Sequence, residues 1–298
     1  MKETLRRLAA KLRAPRAVAP AGSPPPREPL GHSSLPFATE GAEFKSGETV
    51  FDDRALRFRS LTLADRAATG LEEPSALQAA FKIRIAKRER FQQAAGTLIE
   101  RRYADRGYVT PARRVEDPHL YTFVAYDEGT LVGTVGIRLD SERGLSADGL
   151  YPDELRELRA AGCRLCEFTR LAVDFQTVSK PVLAGLFHTA YMFAHEIRGY
   201  DHAVIEVNPR HVAFYRRALL FEQIGEERMN PRVEAPAVLL VLPFDRVPPQ
   251  LEKFGGRPDL ARTTRVMYPY FFGANEAAGI RNRMRELDQA RGAGATGA

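Results

Sequence analysis

A carboxylate inside an otherwise apolar strand constrains this chain more than anything else in it. The segment Cys166-Glu-Phe-Thr-Arg-Leu-Ala-Val-Asp174 reads as a strand that ends in an acidic turn. About forty residues on, Asn208-Pro-Arg-His-Val-Ala-Phe-Tyr-Arg-Arg-Ala-Leu-Leu-Phe-Glu222 reads as a strand end that runs into a helix and stops at an aromatic. Between them, residues 180–198 form a predicted helix with a mostly apolar face. A strand, a helix and a second strand in that order belong to an α/β architecture.

The elements around the pair complete a mixed sheet. Phe81, Ile83 and Ile85 alternate with polar residues, as in a half-buried strand, and a helix is expected over 88–105, stopping at Gly107. Leu120–Tyr126 and Thr130–Leu139 flank Asp127-Glu-Gly129, a hairpin signal. A short charged helix is expected over 152–160, strands over 165–173 and 203–207, a helix over 211–219, and a last buried strand over 237–242. There is no internal repeat. The expected order is a strand, a helix, a hairpin, then strand–helix–strand–helix–strand.

Outside that core the composition changes. Residues 1–13 place Leu5, Leu8 and Leu12 at helical spacing among basic residues, a pattern that suits either contact with a membrane surface or a frayed soluble tail. Residues 14–36 are rich in Pro, Ala, Gly and Ser, including Pro24-Pro25-Pro26, and read as a disordered linker. The expected organisation is a disordered basic, Pro-rich tail over 1–45, one enzyme-sized domain over 46–256, and a C-terminal segment over 257–298. That last segment holds the aromatic cluster Tyr268-Pro-Tyr-Phe-Phe272 and a charged helix, placed either on the core or over the site.

Charge and cysteine content narrow the function classes. The net charge is +6 and the pI about 9.4. The arginines are spread along the chain and no zinc-finger spacing, RNP motif or basic heptad region is present, so nucleic acid is not an expected partner. Acidic carrier proteins or anionic head groups are the alternatives. With only two cysteines, no disulfide framework is expected. Cys163-Arg-Leu-Cys166 lacks two further ligands at suitable spacing, so no metal is expected either. No apolar run approaches the roughly 18–20 residues of a membrane span, and no signal core opens the chain, so the expected location is the cytoplasm.

The two opening segments resemble the core motifs of the GNAT acyltransferase superfamily, in which splayed parallel strands hold an acyl thioester while an amine attacks it. The variant Glu167-Phe-Thr-Arg-Leu-Ala-Val173 is closer to the autoinducer (acyl-homoserine-lactone) synthases and the long-chain N-acyl amino acid synthases. The stretch from about 95 to 245 is similar to the latter family. The matching segments are Tyr103-Ala-Asp-Arg-Gly-Tyr108, Val132-Gly-Thr-Val135, Asp140-Ser141 with Gly144-Leu-Ser-Ala-Asp148, the Glu167 strand, Asn208–Tyr215, and Asn230-Pro-Arg-Val-Glu-Ala-Pro-Ala-Val-Leu-Leu240. Glu234 stands where that family tends to Asn. The autoinducer synthases usually have a tryptophan after the first helix. This chain has none, and Tyr108 lies in that region.

The resemblance implies a GNAT-like mixed sheet flanked by helices, and transfer of a long acyl chain from acyl-carrier protein to the α-amine of an amino acid. No cofactor is then tightly bound; acyl-phosphopantetheine arrives as the donor substrate. Glu167 is the expected general base. Arg170 and Arg138 are candidates to hold the acceptor's carboxylate, with Arg170 favoured. On a regular strand Glu167 and Arg170 point to opposite faces, so their direct pairing needs a bulge or a third group. Backbone N–H groups near Leu171–Val173 are the expected oxyanion hole, and Thr169 lies in the same stretch. Tyr215 is the candidate acid for the leaving thiolate. The usual interval from this tyrosine to the following Phe is five and here it is six, a register that Phe214 fits. Leu220 also replaces the usual Gly before that Phe. Asn208 and His211 are expected near the substrate, Asn208 with the alternative role of capping the next helix. The glycine-rich pyrophosphate loop of acetyl-CoA enzymes is missing from Phe175–Gly185. Ser179 and Lys180 at a helix start could hold the single phosphate of phosphopantetheine. An autoinducer synthase and a non-catalytic acyl-binding module of the same fold are the alternatives.

Overall fold

The computed structural model describes residues 49–52, 81–86, 89–105, 107–108, 117–127, 129–173 and 179–295. The expectations for residues 1–45 lie outside the described residues. Among those described, nine strands form one sheet: β1 (Thr49–Asp52), β2 (Phe81–Ile85), β3 (Leu120–Asp127), β4 (Thr130–Leu139), β5 (Leu165–Val173), β6 (His202–Val207), β7 (Glu222–Gln223), β8 (Arg228–Asn230) and β9 (Ala235–Pro243). Their order is β1-β2-β3-β4-β5-β6-β9-β7, with β8 also on β9. Every pairing is antiparallel except β5 with β6.

Six α-helices accompany the sheet: α1 (Glu89–Ala104), α2 (Pro152–Ala160), α3 (Lys180–Tyr191), α4 (Val212–Leu219), α5 (Val247–Phe254) and α6 (Ala274–Ala295). Alternate residues of the central strands pack on opposite sides. Cys166, Ala203 and Ile205 join the cluster built on α3 and α4, whereas Leu165 and Val204 join the one built on α2. Ala172 meets Ala95 and Leu98 of α1. With both faces covered, β9 reads as a continuous apolar run rather than an alternating one.

Helix α3 has almost no polar face. Val182 through Tyr191 are all buried, and a π-turn over Met192–Ile197 prolongs the helix. The sheet lies on one side of it and the C-terminal segment covers the other, with Tyr268, Phe271 and Phe272 in the same core cluster as Phe187. The core therefore does not end at the strand expected over 237–242. β1 also precedes the expected first strand and pairs with it.

The parallel pairing of β5 with β6 is short. It runs from Leu165↔His202 through Glu167↔Val204. Beyond that point β5 continues to Val173 and β6 to Val207, and the strands part. Glu167 sits where they diverge.

Candidate active site

A cleft of about 400 Å³ opens between the diverging strands. One part of its wall is apolar, from Val135, Phe168, Leu171, Phe187, Ile205 and Tyr215. The other is polar, from Arg138, Ser146, Glu167, Glu206, Asn230 and Arg232. A half-apolar, half-charged cleft suits a ligand with a hydrocarbon part and an ionic part.

Glu167 is 2% exposed. Its Oε2 accepts the Ser146 backbone N–H at 2.6 Å. Burial raises its pKa above the usual carboxylate value, while the bonds from Ser146 and the charges of Arg138 and Arg232 pull it back. A base of this kind is strengthened without being locked in either protonation state.

Of the two alternatives left open for Glu167 and Arg170, a bulge is present in β5. Thr134 pairs with Ala172 and Gly136 with Thr169, so Arg170 and Leu171 together face Val135. Arg170 has φ of 51°, in the left-handed region. Its carbonyl accepts from Thr134 Oγ1 at 2.8 Å. The extra residue shifts the face of the strand, and Glu167, Thr169, Arg170 and Leu171 all line the cleft. Val173 does not. It is 1% exposed and packs in the core, paired with Gly133.

Arg138 lies opposite Glu167 in the β4–β5 register and lines the cleft, but its guanidinium pairs with Asp117 at 3.0 Å. Tyr215 is 8% exposed and faces the cleft, with its ring edge-on to Phe187 at 6.2 Å. Phe214, which fits the usual interval, is 37% exposed. The longer interval is absorbed after Tyr215, where Leu220 takes φ of 66°. Asn208 performs the capping role. Its Oδ1 accepts from the Arg210 N–H at 3.2 Å, and its Nδ2 donates to the Pro236 carbonyl at 3.2 Å. His211 lines the cleft and accepts from Arg210 Nε at 3.3 Å. Ser179 and Lys180 stand at the start of α3, outside the cleft lining. Ser179 occupies the N-cap position without a side-chain cap bond.

The sequence reading missed a second acid, partly buried. Glu206 on β6 accepts from Arg232 at 2.7 Å and from Asn230 Nδ2. Burial raises its pKa, Arg232 opposes that, and Glu167 adds to it. Its signal was available: Glu206 is a carboxylate in the apolar strand His202–Val207, the same pattern that singled out Glu167. The cleft mouth was harder to foresee. There Arg210 donates to the Tyr108 hydroxyl at 3.0 Å and lies over its ring at 5.6 Å, joining the end of α1 to the corner after β6.

With this geometry in hand, the comparisons are specific. A family model described as N-acyl amino acid synthase FeeM matches residues 94–243. The solved structure of FeeM, an N-acyl amino acid synthase from uncultured soil microbes, matches with 29% identity and a TM-score of 0.55. That match covers 60% of this chain and 99% of the other. The homoserine-lactone synthase LasI matches at 14% identity and a TM-score of 0.39, over 56% of this chain and 91% of the other. No curated protein matches the chain in sequence. The matched span holds the parallel pair, the bulge, the buried glutamate and Tyr215, and the chain belongs to the FeeM family of N-acyl amino acid synthases, with a GNAT-like fold.

Proposed function

We infer that this N-acyltransferase moves a long-chain acyl group from acyl-carrier protein to the α-amine of an amino acid. The observation that carries the reading is Glu167, buried where β5 and β6 part, at the junction of the apolar and charged walls of one cleft.

The acyl chain lies along the apolar wall and the acceptor along the polar one. Glu167 takes a proton from the acceptor's ammonium group, and the freed amine attacks the thioester carbonyl. The oxyanion meets a backbone N–H at the bulge, with Leu171 the candidate. Collapse of the tetrahedral intermediate expels the pantetheine thiolate, which takes a proton from the Tyr215 hydroxyl, and the extra proton of the newly acylated nitrogen restores that hydroxyl. The amide bond forms, the thioester bond breaks, and the carrier leaves as a thiol. Arg170 is the candidate for the acceptor's carboxylate, because its planar fork suits two-point binding and it lines the cleft on the same strand as Glu167. The carrier-bound donor is supported by the missing glycine spacing in 175–185 and by the net charge of +6. The basic balance also suits docking of an acidic carrier, which higher salt weakens.

Glu167→Gln tests the reading. Glutamine keeps the volume and an acceptor for the Ser146 N–H, and removes the base. Turnover of acyl-carrier protein with an amino acid, followed by mass spectrometry of the product, falls roughly a hundredfold or more. In the wild type kcat declines as pH drops through the raised pKa of Glu167, and that limb disappears in the variant. Near-normal turnover by the folded variant removes Glu167 from the chemistry.

A further inference from the structure

The two strands that diverge into the cleft begin, at their other ends, beside a second cluster of reactive side chains. Cys163 lies two residues before β5, and His202 is the first residue of β6. The imidazole of His202 is held from both sides. Its Nδ1 is 2.6 Å from Asp201 Oδ1, and its Nε2 is 3.9 Å from Cys163 Sγ. Asp201 Oδ1 also accepts the Arg164 backbone N–H at 2.9 Å, which fixes the carboxylate. The Arg164 guanidinium turns elsewhere, donating to the Arg198 carbonyl at 3.1 Å and lying over the Tyr200 ring. One ligand atom from each of Cys163, Asp201 and His202 falls within 4.8 Å of the other two.

A carboxylate on one imidazole nitrogen puts the ring hydrogen there and leaves the other nitrogen's lone pair directed away from it. That is the arrangement found behind metal-bound histidines. Here the lone pair faces a sulfur. With ordinary zinc bond lengths of about 2.0 Å to nitrogen and 2.3 Å to sulfur, the observed separation subtends roughly 130° at the ion, about 20° wider than tetrahedral, so a small approach of the two side chains completes the geometry. Cys163 and Asp201 are only partly buried, so water reaches the remaining positions.

The geometry points to a binding site for a borderline-soft divalent cation of the zinc class, ligated by Cys163 Sγ and His202 Nε2, with Asp201 orienting the imidazole. Thiolate and imidazole select zinc over magnesium and calcium, which take oxygen ligands. Cys166 is not part of it. That thiol is fully buried and donates to the His202 carbonyl at 3.5 Å. The Cys-x-x-Cys pair is thus split, and Cys163 finds its partner across the sheet instead of along the chain. An ion here ties the start of β5 to the start of β6 and steadies the frame of the cleft without entering the reaction. With two protein ligands, the affinity is on the order of micromolar, well short of a four-ligand structural site.

The test uses the full chain, stripped of metal, and Co2+ as the probe. One equivalent of Co2+ produces the near-ultraviolet absorption of a cobalt–thiolate bond, and Zn2+ displaces it and raises the melting temperature. Mg2+ does neither. Cys163→Ala abolishes the absorption while circular dichroism stays unchanged. Asp201→Asn keeps the absorption and weakens Co2+ binding about 10–100-fold. Cys166→Ser leaves the absorption in place. Absence of the cobalt–thiolate band in the wild type overturns the proposal, and so does a band that survives Cys163→Ala or vanishes in folded Cys166→Ser.

Discussion

Lowering the pH should loosen the C-terminal segment through His188. This side chain is 1% exposed and stacks on Phe271 and Phe272 at centroid distances of 4.8 and 5.3 Å. Its Nδ1 accepts the Phe272 backbone N–H at 3.0 Å, so Nε2 carries the ring hydrogen, buried with no hydrogen-bond partner among the described residues. The ring is therefore built into the fold in its neutral form. Burial, with the charge of Arg281 adding to it, lowers the pKa from 6.5 to about 3. The unfolded chain takes up a proton near pH 6.5 that the folded chain refuses until far lower. Stability from this group is complete above pH 6.5 and is lost as the pH falls toward 3. The loss is about 1.4 kcal/mol per pH unit, or close to 3 kcal/mol between pH 6.5 and 4.5.

Urea unfolding at a series of pH values from 7.5 to 4.5, on the wild type and on His188→Asn, isolates this effect. The Asn Oδ1 stands in for Nδ1 as the acceptor and does not titrate. The variant starts less stable, because the stacking on Phe271 and Phe272 is gone. Between pH 7.5 and 4.5 it should nevertheless lose about 3 kcal/mol less than the wild type. Glu167 and Glu206 titrate in both proteins and cancel in the difference. Parallel stability curves for the two proteins refute the reasoning. The consequence reaches the cleft: Met267 N–H donates to the Ala218 carbonyl at 2.9 Å and the Tyr268 hydroxyl to the Leu219 carbonyl at 3.1 Å. The segment clasped by His188 thus packs on both α3 and α4, the helices that present Phe187 and Tyr215 to the substrate space.

Two further outcomes follow from single contacts. If Arg170 binds the acceptor's carboxylate, Arg170→Lys lowers kcat/KM for a free amino acid and spares its methyl ester; equal losses assign Arg170 to support of the strand. A Cβ at Gly225 meets Tyr151 Cε1 at 2.6 Å and Leu239 Cβ at 2.8 Å, so Gly225→Ala costs about 1–3 kcal/mol; an unchanged melting temperature contradicts that packing.

What the sequence showed and what it hid divide along a physical line. Periodicity and turn residues placed the helices over 152–160 and 212–219 and the strands over 120–127, 130–139 and 165–173 to within a residue or two, because each has a local signature. β1, β7 and β8 have four, two and three residues. Their existence depends on a partner strand distant in sequence, and no local pattern marks them. The site divides the same way. Glu167 drew notice as a carboxylate in an apolar strand, and only the family resemblance turned that anomaly into a place in the cleft. The pairing of Arg138 with Asp117 was not legible, since Asp117 precedes β3 and no local pattern links the two. The bulge could be stated as one of two ways to pair Glu167 with Arg170, but only the register of β4 against β5 shows that it spans Arg170 and Leu171.

Among the described residues, three non-glycine residues adopt positive φ: Arg170 at 51°, Leu220 at 66° and Glu234 at 50°. Two of them are the positions where the chain departs from its family's residue preferences, Leu220 for Gly and Glu234 for Asn. Gly and Asn are the residue types that enter this region at least cost. Leucine and glutamate enter it at a cost, and the chain bears that strain at both positions. Glu234 is exposed, so relief there comes without lost packing. Glu234→Asn should raise stability by about 1 kcal/mol, or roughly 2–4 °C in melting temperature, and leave turnover unchanged. Arg170→Gly should also relax the backbone, yet lower kcat/KM. The contrast separates two kinds of strain. At Glu234 the conformation serves only the turn before β9. At Arg170 it belongs to the bulge that lines the cleft, and the role proposed for Arg170 would tie the strain retained there to function. A rise in stability at Arg170→Gly with full activity would break that distinction.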